Sequence, residues 1–414
     1  MSAKQLGVVG AGTMGAGIAT IACLGGYRTL LHDPVPEALE KGRARFGEAI
    51  AKGVGKGWTA EEAEAARPLL GTAGSIEELA GCDLVIEAAP EDLALKQRLF
   101  AELADVCGPG TILATNTSSL RVAEIAARTP HPGRVVGMHF FNPPTRMKLV
   151  EVVATGSSAP GALEAATEVA ERMGRTPIRA KDSPGFVANR LARPFSLESL
   201  RMLGDGVADA PTIDRVCRLG GGFRMGPFEL LDLIGLDVNL SVARSFYEQG
   251  GRPERWRPSP IQEEMVASGR LGRKSGAGFY SYGDEPHREK DPDLGFDTPT
   301  LAPEDLARIH PSGPAILPRL IAQIANEAAF ALEEGVASPE DMDTAMRLGF
   351  NWPLGPIEMT ILISRQRVVS LLEELQREHG DAYLPAPELS AAIERKRLRV
   401  AETQRRAAAR RRQR

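Results

Sequence analysis

The stretch Leu6–Gly15, LGVVGAGTMG, decides the fold. Leu6-Gly7-Val8-Val9 reads as a short buried strand, and Gly10-Ala11-Gly12-Thr13-Met14-Gly15 follows it at once. Ala16–Leu24 then carries a helical pattern closed by Gly25-Gly26, and a second apolar strand, Arg28–His32, ends in Asp33. In this order each glycine has a distinct role. Gly10 permits the tight turn, Gly12 lets the backbone approach a pyrophosphate, and Gly15 allows close packing of helix on strand. The helix N-terminus offers free N–H groups and a positive dipole end to the phosphates. Gly10, Gly12, Thr13, Met14 and Gly15 are therefore candidate cofactor contacts. Asp33 sits eighteen residues past Gly15, where a carboxylate accepts from both ribose hydroxyls and repels a 2′-phosphate. NAD is expected in preference to NADP.

Outward from this stretch the alternation continues. Asp83–Ala88 reads as a strand, Leu93–Val106 as a helix, Thr111–Thr115 as a strand and Leu120–Arg128 as a helix, before another apolar strand ends on His139. Strands alternating with helices imply a parallel sheet with helices on both faces, an α/β domain of Rossmann type. Ligands of such sheets bind beyond the carboxyl ends of the strands. Asn116-Thr117-Ser118 and His139 both follow strands and are expected there. Ser118 reads equally as a substrate hydrogen-bond partner and as the N-cap of the following helix.

Gly137–Val153, GMHFFNPPTRMKLVEVV, is the candidate for chemistry. Its first strand ends on His139, Phe140-Phe141-Asn142-Pro143-Pro144 breaks it, and Lys148–Val153 forms a second apolar run. Glu151 interrupts that run with Val on both sides, and a buried carboxylate needs a partner. His139, twelve residues upstream, is the obvious one. A histidine with a buried carboxylate behind it is a general-base arrangement. A lone strand-end histidine is more often a satisfied core or surface side chain, so the residues alone leave both readings open.

Between Asp33 and the third strand, Pro36–Leu70 is too long for one crossover helix. It reads as Glu37–Lys52 and Glu61–Leu70 around a glycine-rich turn, with Thr59 and Glu62 as a capping box. Lys52 and Lys56, with Arg43 and Arg45, suit a phosphate-bearing substrate tail, or simply a solvated basic face. Ala162–Met173 is a helix and Thr176–Ala180 a last strand, and the boundary falls at Lys181–Gly185. A helical half follows, opening with one long helix, Phe186–Leu203, that carries Asn189 near its start. Taken on its own, Asn189 is a helix-end asparagine with no special role. This half repeats itself. GVADAPTID at 206–214 matches GVASPEDMD at 335–343, and GPFE at 226–229 matches GPIE at 355–358, both 129 residues apart. On that offset Arg190-Leu191 falls on Arg319-Leu320, Asn189 on Pro318, and Gly235-Leu236-Asp237 on Ser364-Arg365-Gln366. The expected domains are thus 1–183, dinucleotide-binding with a helical arm at 36–70; 184–283, the first helical copy; 284–313, a linker; 314–394, a degenerate second copy; and 395–414, a basic tail.

With 414 residues, 43% hydrophobic, 25% charged and a net charge of -4, the chain reads as a soluble globular protein of two or three domains. Its overall charge does not suit nucleic acid, although the arginine-rich tail could bind it. No run of eighteen apolar residues predicts a membrane span. The first strand begins too early for a signal peptide. Four scattered cysteines without a CxxC argue against structural zinc or a disulfide framework, and for the cytoplasm.

Together the motifs GAGTMGAGIA, VIEAAPEDLALKQRLF, ATNTSSL, GMHFFNPP…MKLVEVV, KDSPGFVANR and MGPFELLDLIGLD resemble the L-3-hydroxyacyl-CoA dehydrogenases, 3-hydroxybutyryl-CoA dehydrogenases included. The resemblance spans nearly all of residues 4–282 and the second copy to about 390. It implies NAD-dependent oxidation of a 3-hydroxyacyl-CoA, with His139 as the catalytic histidine and Glu151 as its paired carboxylate. It implies Ser118 and Asn189 as hydrogen-bond partners of the reacting oxygen, and Asn142 as a residue near the site. Asp33, Glu91, Lys96 and Asn116 are implied as cofactor contacts, and the arm bearing Lys52 and Lys56 as a CoA contact. Single-copy members pair as dimers through the helical domain. Here the second copy is expected either to leave the chain a homodimer or to stand in for a partner subunit, making a pseudo-dimeric monomer. Two other readings remain: a dehydrogenase of a small free hydroxy acid or sugar acid, from the crystallin-like branch, and a cofactor-binding scaffold without turnover.

Overall fold

The computed structural model describes residues 4–283, 286–295 and 298–389. They form two compact units. One comprises the chain up to Val187 together with Val336–Gly349, the other Ala188–Gly335 and the chain from Phe350 onward.

The first unit is built on one eight-stranded sheet: β1 Gln5–Val9, β2 Arg28–His32, β3 Leu70–Ala73, β4 Leu84–Glu87, β5 Ile112–Thr115, β6 Val135–Phe140, β7 Leu149–Ala154 and β8 Thr176–Lys181. Their order is β3-β2-β1-β4-β5-β6-β7-β8. Every neighbouring pair is parallel except β6 and β7. The exception has a simple cause. A parallel return needs a crossover of a dozen or more residues, and only the loop at 141–148 joins β6 to β7. Six helices connect the strands or flank the sheet: α1 Thr13–Leu24, α2 Pro36–Gly53, α3 Ala60–Ala66, α4 Leu93–Val106, α5 Val122–Ala126 and α6 Pro160–Arg172. Ile18, Ile21 and Ala22 of α1 and Ala166, Val169 and Ala170 of α6 pack with Leu6, Val8, Ile86, Val136 and Val152 of the sheet. Each such large aliphatic side chain contributes about 1.5–3 kcal/mol when fully buried.

Three local expectations change. The arm's second helix ends at Ala66, a 3-10 turn spans Arg67–Leu69, and Leu70–Ala73 is an edge strand. Four residues with a central glycine give no periodic signal, yet β2 supplies their hydrogen bonds. The capping box forms as expected, with the Glu62 N–H donating to Thr59 Oγ1 (3.1 Å) and the Thr59 N–H to Glu62 Oε2 (2.7 Å). Helix α5 starts at Val122 and not at Leu120, and its N-cap is Arg121 and not Ser118. The first-turn N–H groups of Val122 and Ala123 are taken instead by the Asp182 carboxylate (3.1 and 2.8 Å), sixty residues away in sequence.

The second unit is helical: α7 Ala188–Leu191, α8 Arg193–Gly204, α9 Ala210–Leu219, α10 Pro227–Ile234, α11 Leu236–Gln249, α12 Pro260–Ala267, α13 Pro303–Ile309, α14 Gly313–Glu333, α16 Pro356–Ile363 and α17 Arg365–His379. The long helix expected at 186–203 is broken at Ala192, because Pro194 has no N–H to donate back and its ring clashes with the preceding turn. The intervening helix α15, Pro339–Gly349, belongs to the sheet unit. It packs on β7 and β8, and the Lys181 N–H donates to the Val336 carbonyl (2.8 Å). The expected linker contains α13, which packs on α9 and α14, and Asp291 is held by Arg218 (2.7 and 2.9 Å). The basic tail and the end of the second copy lie outside the described residues. Helix α14 is long and apolar enough to cross a membrane by length and composition. Here it is mostly buried, against α8, α13, α16 and α17.

The duplication is visible in the helices. Shifted by 129, α10 becomes α16, α11 becomes α17 apart from one terminal residue, and α8 falls within α14. The ion pairs between α7–α8 and α14 are reciprocal. Arg190 binds Glu327 (2.7 Å) and Glu334 (2.6 Å), and Arg319 binds Glu198 (2.5 Å) and Asp205 (2.7 Å). Each partner is the other's counterpart, 129 residues away. Residue i meets j′ and i′ meets j, as in a twofold interface between subunits.

Candidate active site

Strand β1 delivers the chain into the glycine turn. Gly10 has φ +102°, and a Cβ there would lie 2.6 Å from the Ala88 carbonyl oxygen. A Cβ on Gly15 would lie 1.7 Å from the Gly10 carbonyl oxygen. Around Gly12 the space is open, and a Cβ would meet no atom within 4 Å. Gly12 is also the N-cap of α1, which has neither a side-chain cap nor an acidic residue in its first turn. Its leading N–H groups are therefore available to an anion beside Thr13 and Met14. The Asp33 carboxylate accepts from the Ala11 N–H (2.9 Å) and the Val35 N–H (3.0 Å), which fixes it against the turn. Arg45 Nη1 donates to the Ala11 carbonyl (3.2 Å) from α2. The open cradle, the uncapped helix end and the placed carboxylate fit a dinucleotide.

Next along the same sheet edge is a network whose centre, Glu87, the sequence reading did not single out. It is fully buried at the end of β4. It accepts from Lys96 Nζ (2.6 Å), the Ala89 N–H (2.7 Å) and Thr115 Oγ1 (2.7 Å). Lys96 is buried too, and also contacts the Ala89 carbonyl (3.2 Å) and Glu91 (3.4 Å). Its ammonium is thus engaged within the protein. Glu91 Oε1 gathers the loop after β5: Thr117 Oγ1 (2.7 Å), the Ser118 and Ser119 N–H groups (both 3.1 Å) and Ser119 Oγ (2.8 Å). Burial works against the charge on Glu91, but the Thr117 hydroxyl, the Lys96 ammonium and the Ser119 and Ser118 bonds outweigh it and hold its carboxyl below the usual range. The Ser118 backbone is pinned while its hydroxyl has no hydrogen-bond partner among the described residues, and the residue is exposed. Asn116 Oδ1 accepts the Phe140 N–H (2.9 Å), tying the end of β5 to the end of β6 beside His139.

Register then does the decisive work. In the β6–β7 pair, His139 lies directly opposite Glu151. Their side chains meet at 2.6 Å, His139 Nδ1 to Glu151 Oε2. Glu151 is fully buried and its Oε1 accepts the Val187 N–H (2.9 Å). A carboxylate at Nδ1 makes that nitrogen the N–H donor and leaves Nε2 with the lone pair. The imidazole stands between Phe141 and Phe186, with ring centroids 4.7 and 5.8 Å away. Arg175, absent from the sequence reading, anchors the loop between the strands through the Pro144 (3.2 Å) and Met147 (2.8 Å) carbonyls. Asn142, in that loop, is exposed.

The remaining candidates lie elsewhere. Lys52 is exposed and pairs with Glu48 (2.8 Å); Lys56 is exposed in the turn of the arm. Asn189 is on α7 of the helical unit, half-buried, with no side-chain hydrogen bond among the described residues. Among those residues no group of three His, Cys, Asp or Glu clusters as a metal site.

Comparison with known proteins agrees across both units. The family model for the NAD binding domain of 3-hydroxyacyl-CoA dehydrogenase matches residues 5–183. That for the C-terminal domain of the same enzymes matches 185–282 and, a second time, 316–407. The chain is 37% identical to the 3-hydroxyadipyl-CoA dehydrogenase of Escherichia coli K12, over 92% of this chain and 95% of that one. It is 42% identical to a probable 3-hydroxybutyryl-CoA dehydrogenase of Bacillus subtilis, over 68% of this chain and 98% of the other. A crystal structure of 3-hydroxybutyryl-CoA dehydrogenase from Escherichia coli K12 superposes with a TM-score of 0.86 at 36% identity, covering 95% of this chain and 98% of that one.

Proposed function

The chain belongs to the 3-hydroxyacyl-CoA dehydrogenase family, and we propose that His139 is the general acid–base of its reaction, with Glu151 as the carboxylate behind it. The activity is NAD-dependent oxidation of a 3-hydroxyacyl-CoA to the 3-oxo thioester. Bound NAD+ supplies the hydride acceptor. It would be held by Gly10, Gly12, Thr13, Met14 and Gly15 at its pyrophosphate and by Asp33 at its ribose. Asn116, Glu91 and Lys96 shape the loops around it, the last two as positioning residues.

His139 Nε2 takes the proton of the 3-hydroxyl, and the resulting imidazolium is stabilised by Glu151 at Nδ1, in a site where few waters compete. In the reverse direction the same nitrogen returns the proton. Ser118 donates its hydroxyl to the oxygen as it becomes a carbonyl. Asn189 has the same role by the family resemblance alone, as do Asn142 near the site and Lys52 and Lys56 toward the CoA phosphates. The observation that carries the reading is the 2.6 Å His139–Glu151 contact at matched register. The test is NADH oxidation with acetoacetyl-CoA, beside acetoacetate and NADPH controls. Turnover confined to acetoacetyl-CoA with NADH is expected. Turnover of the free acid in its place would move the chain to the crystallin-like branch, and NADH binding without any turnover would make it a scaffold.

The two helical copies take the place of a subunit pair in this reading, supported by the reciprocal Arg190 and Arg319 clusters. A monomer by light scattering is expected; a dimer built through the first copy would contradict it.

A further inference from the structure

Two arginines three residues apart in sequence have opposite surroundings. Arg190 is completely buried and saturated by carboxylates, Glu327 and Glu334. Arg193 is also buried, at 8% exposure, yet its Nε and Nη1 have no hydrogen-bond acceptor among the described residues. Its one described polar-type contact is with the Phe246 ring, 5.4 Å from guanidinium carbon to ring centroid. Burial pushes this guanidinium down to about 10, whereas the carboxylates around Arg190 outweigh burial and hold that one up. A cation left without an acceptor in such a place is costly, and a carboxylate that pairs with it in bidentate fashion removes the cost.

The duplication serves as an internal control. Arg190 recurs as Arg319 and keeps its acidic partners, so it belongs to the shared frame. Arg193 falls on Ala322, fully buried in α14, so the frame packs without a charge at this point. Asn189, four residues before Arg193, falls on Pro318. The copies thus differ at two positions one helical turn apart on the same face, about 6 Å along the axis. The first of them is the side chain assigned to the 3-oxygen.

We infer that Arg193 binds a carboxylate at the far end of the acyl chain, so that the substrates are 3-hydroxyacyl-CoA thioesters whose chain ends in a second, free carboxylate. This rests on the dehydrogenase reading above, and it names Arg193 as a specificity residue, with no part in the proton transfer.

The test is calorimetric binding of adipyl-CoA and hexanoyl-CoA to the full chain. The two ligands are equal in carbon number and differ in the terminal carboxylate. Wild type is expected to bind adipyl-CoA about tenfold or more tightly. Arg193→Met should reduce that preference by about ten- to hundredfold, and Arg193→Lys should restore part of it. The same ratio should appear in KM when 3-oxoadipyl-CoA and 3-oxohexanoyl-CoA are reduced. Equal binding of the two ligands by wild type would overturn the inference, whatever the variants do. So would a preference that survives Arg193→Met, or a change of oligomeric mass in that variant, which would make the guanidinium an interface group. Failure to turn over any 3-oxoacyl-CoA would count against the dehydrogenase reading; the binding ratio tests Arg193 either way.

Discussion

Arg190 with Glu327 and Arg319 with Glu198 are one arrangement written twice; His139 with Glu151 is written once. Both kinds are buried, charged and short. The duplicated clusters join two helical copies, and each acid has further partners: Arg255 and the Trp256 indole on Glu327, and Arg201 and the Tyr383 hydroxyl on Glu198. They are closed networks with nothing left over for a ligand. The single pair is open at one end, since Glu151 occupies one ring nitrogen and the other has its lone pair free. The contrast separates burial that holds a fold from burial that prepares a reaction, and a buried salt bridge alone does not say which it is.

The difference can be broken experimentally. The largest effect is expected at the single pair. His139→Gln should lower kcat by about 10²–10⁴-fold while NADH affinity and melting temperature stay near wild type. Retained turnover in steady-state assays would return His139 to the ordinary class of satisfied core histidines. At the duplicated clusters the pattern should reverse. Arg319→Met strands Glu198 and should destabilise the helical unit by about 3–5 kcal/mol in denaturant unfolding, with kcat per folded molecule preserved. Arg190→Met should cost a similar amount, and a large mismatch between them would mean that the reciprocity is geometric only. The smallest effect concerns a place where the copies solve one problem differently. Asp209 caps α9 by accepting the Thr212 N–H (3.0 Å), and its counterpart Ser338 accepts the Asp341 N–H (3.1 Å). The Thr212 hydrogen bonds hold the Asp209 carboxyl below its usual range. Its stabilisation is therefore present above the unfolded-state value and is lost as pH falls through the lower folded-state one. Asp209→Ser should change stability at neutral pH by less than about 1 kcal/mol and remove that acid-side loss; unfolding curves at neutral and acid pH check both.

Much of this was legible in the sequence, for identifiable reasons. Gly10, Gly15 and Asp33 were readable because their residue types are forced by backbone geometry and charge. The Thr59–Glu62 box was readable because capping is local. His139 and Glu151 were readable as a misfit carboxylate and a nearby histidine, and a tight antiparallel return does bring them into register. What escaped depended on distant chain. Leu70–Ala73 is a strand only because β2 is beside it. Ser118 lost the cap position because Asp182 arrives from far along the sequence. Lys96 was expected at the cofactor, but its ammonium is engaged by Glu87, a carboxylate hidden at the end of an apolar strand. The acids of the reciprocal clusters lie on the same 129-residue offset as the arginines, so that signal was available. Arg193 gives no signal of its own, because an arginine without a partner is visible only once its surroundings are known.

The most direct test of the central claim is the pH dependence of kcat for 3-hydroxyacyl-CoA oxidation, in wild type and Glu151→Gln. If Glu151 stabilises the His139 imidazolium, the variant should be slower and its acid limb should move to lower pH, since the neutral imidazole is then the better-favoured form. A Glu151→Gln profile that coincides with wild type in height and position would contradict the pairing as the basis of catalysis.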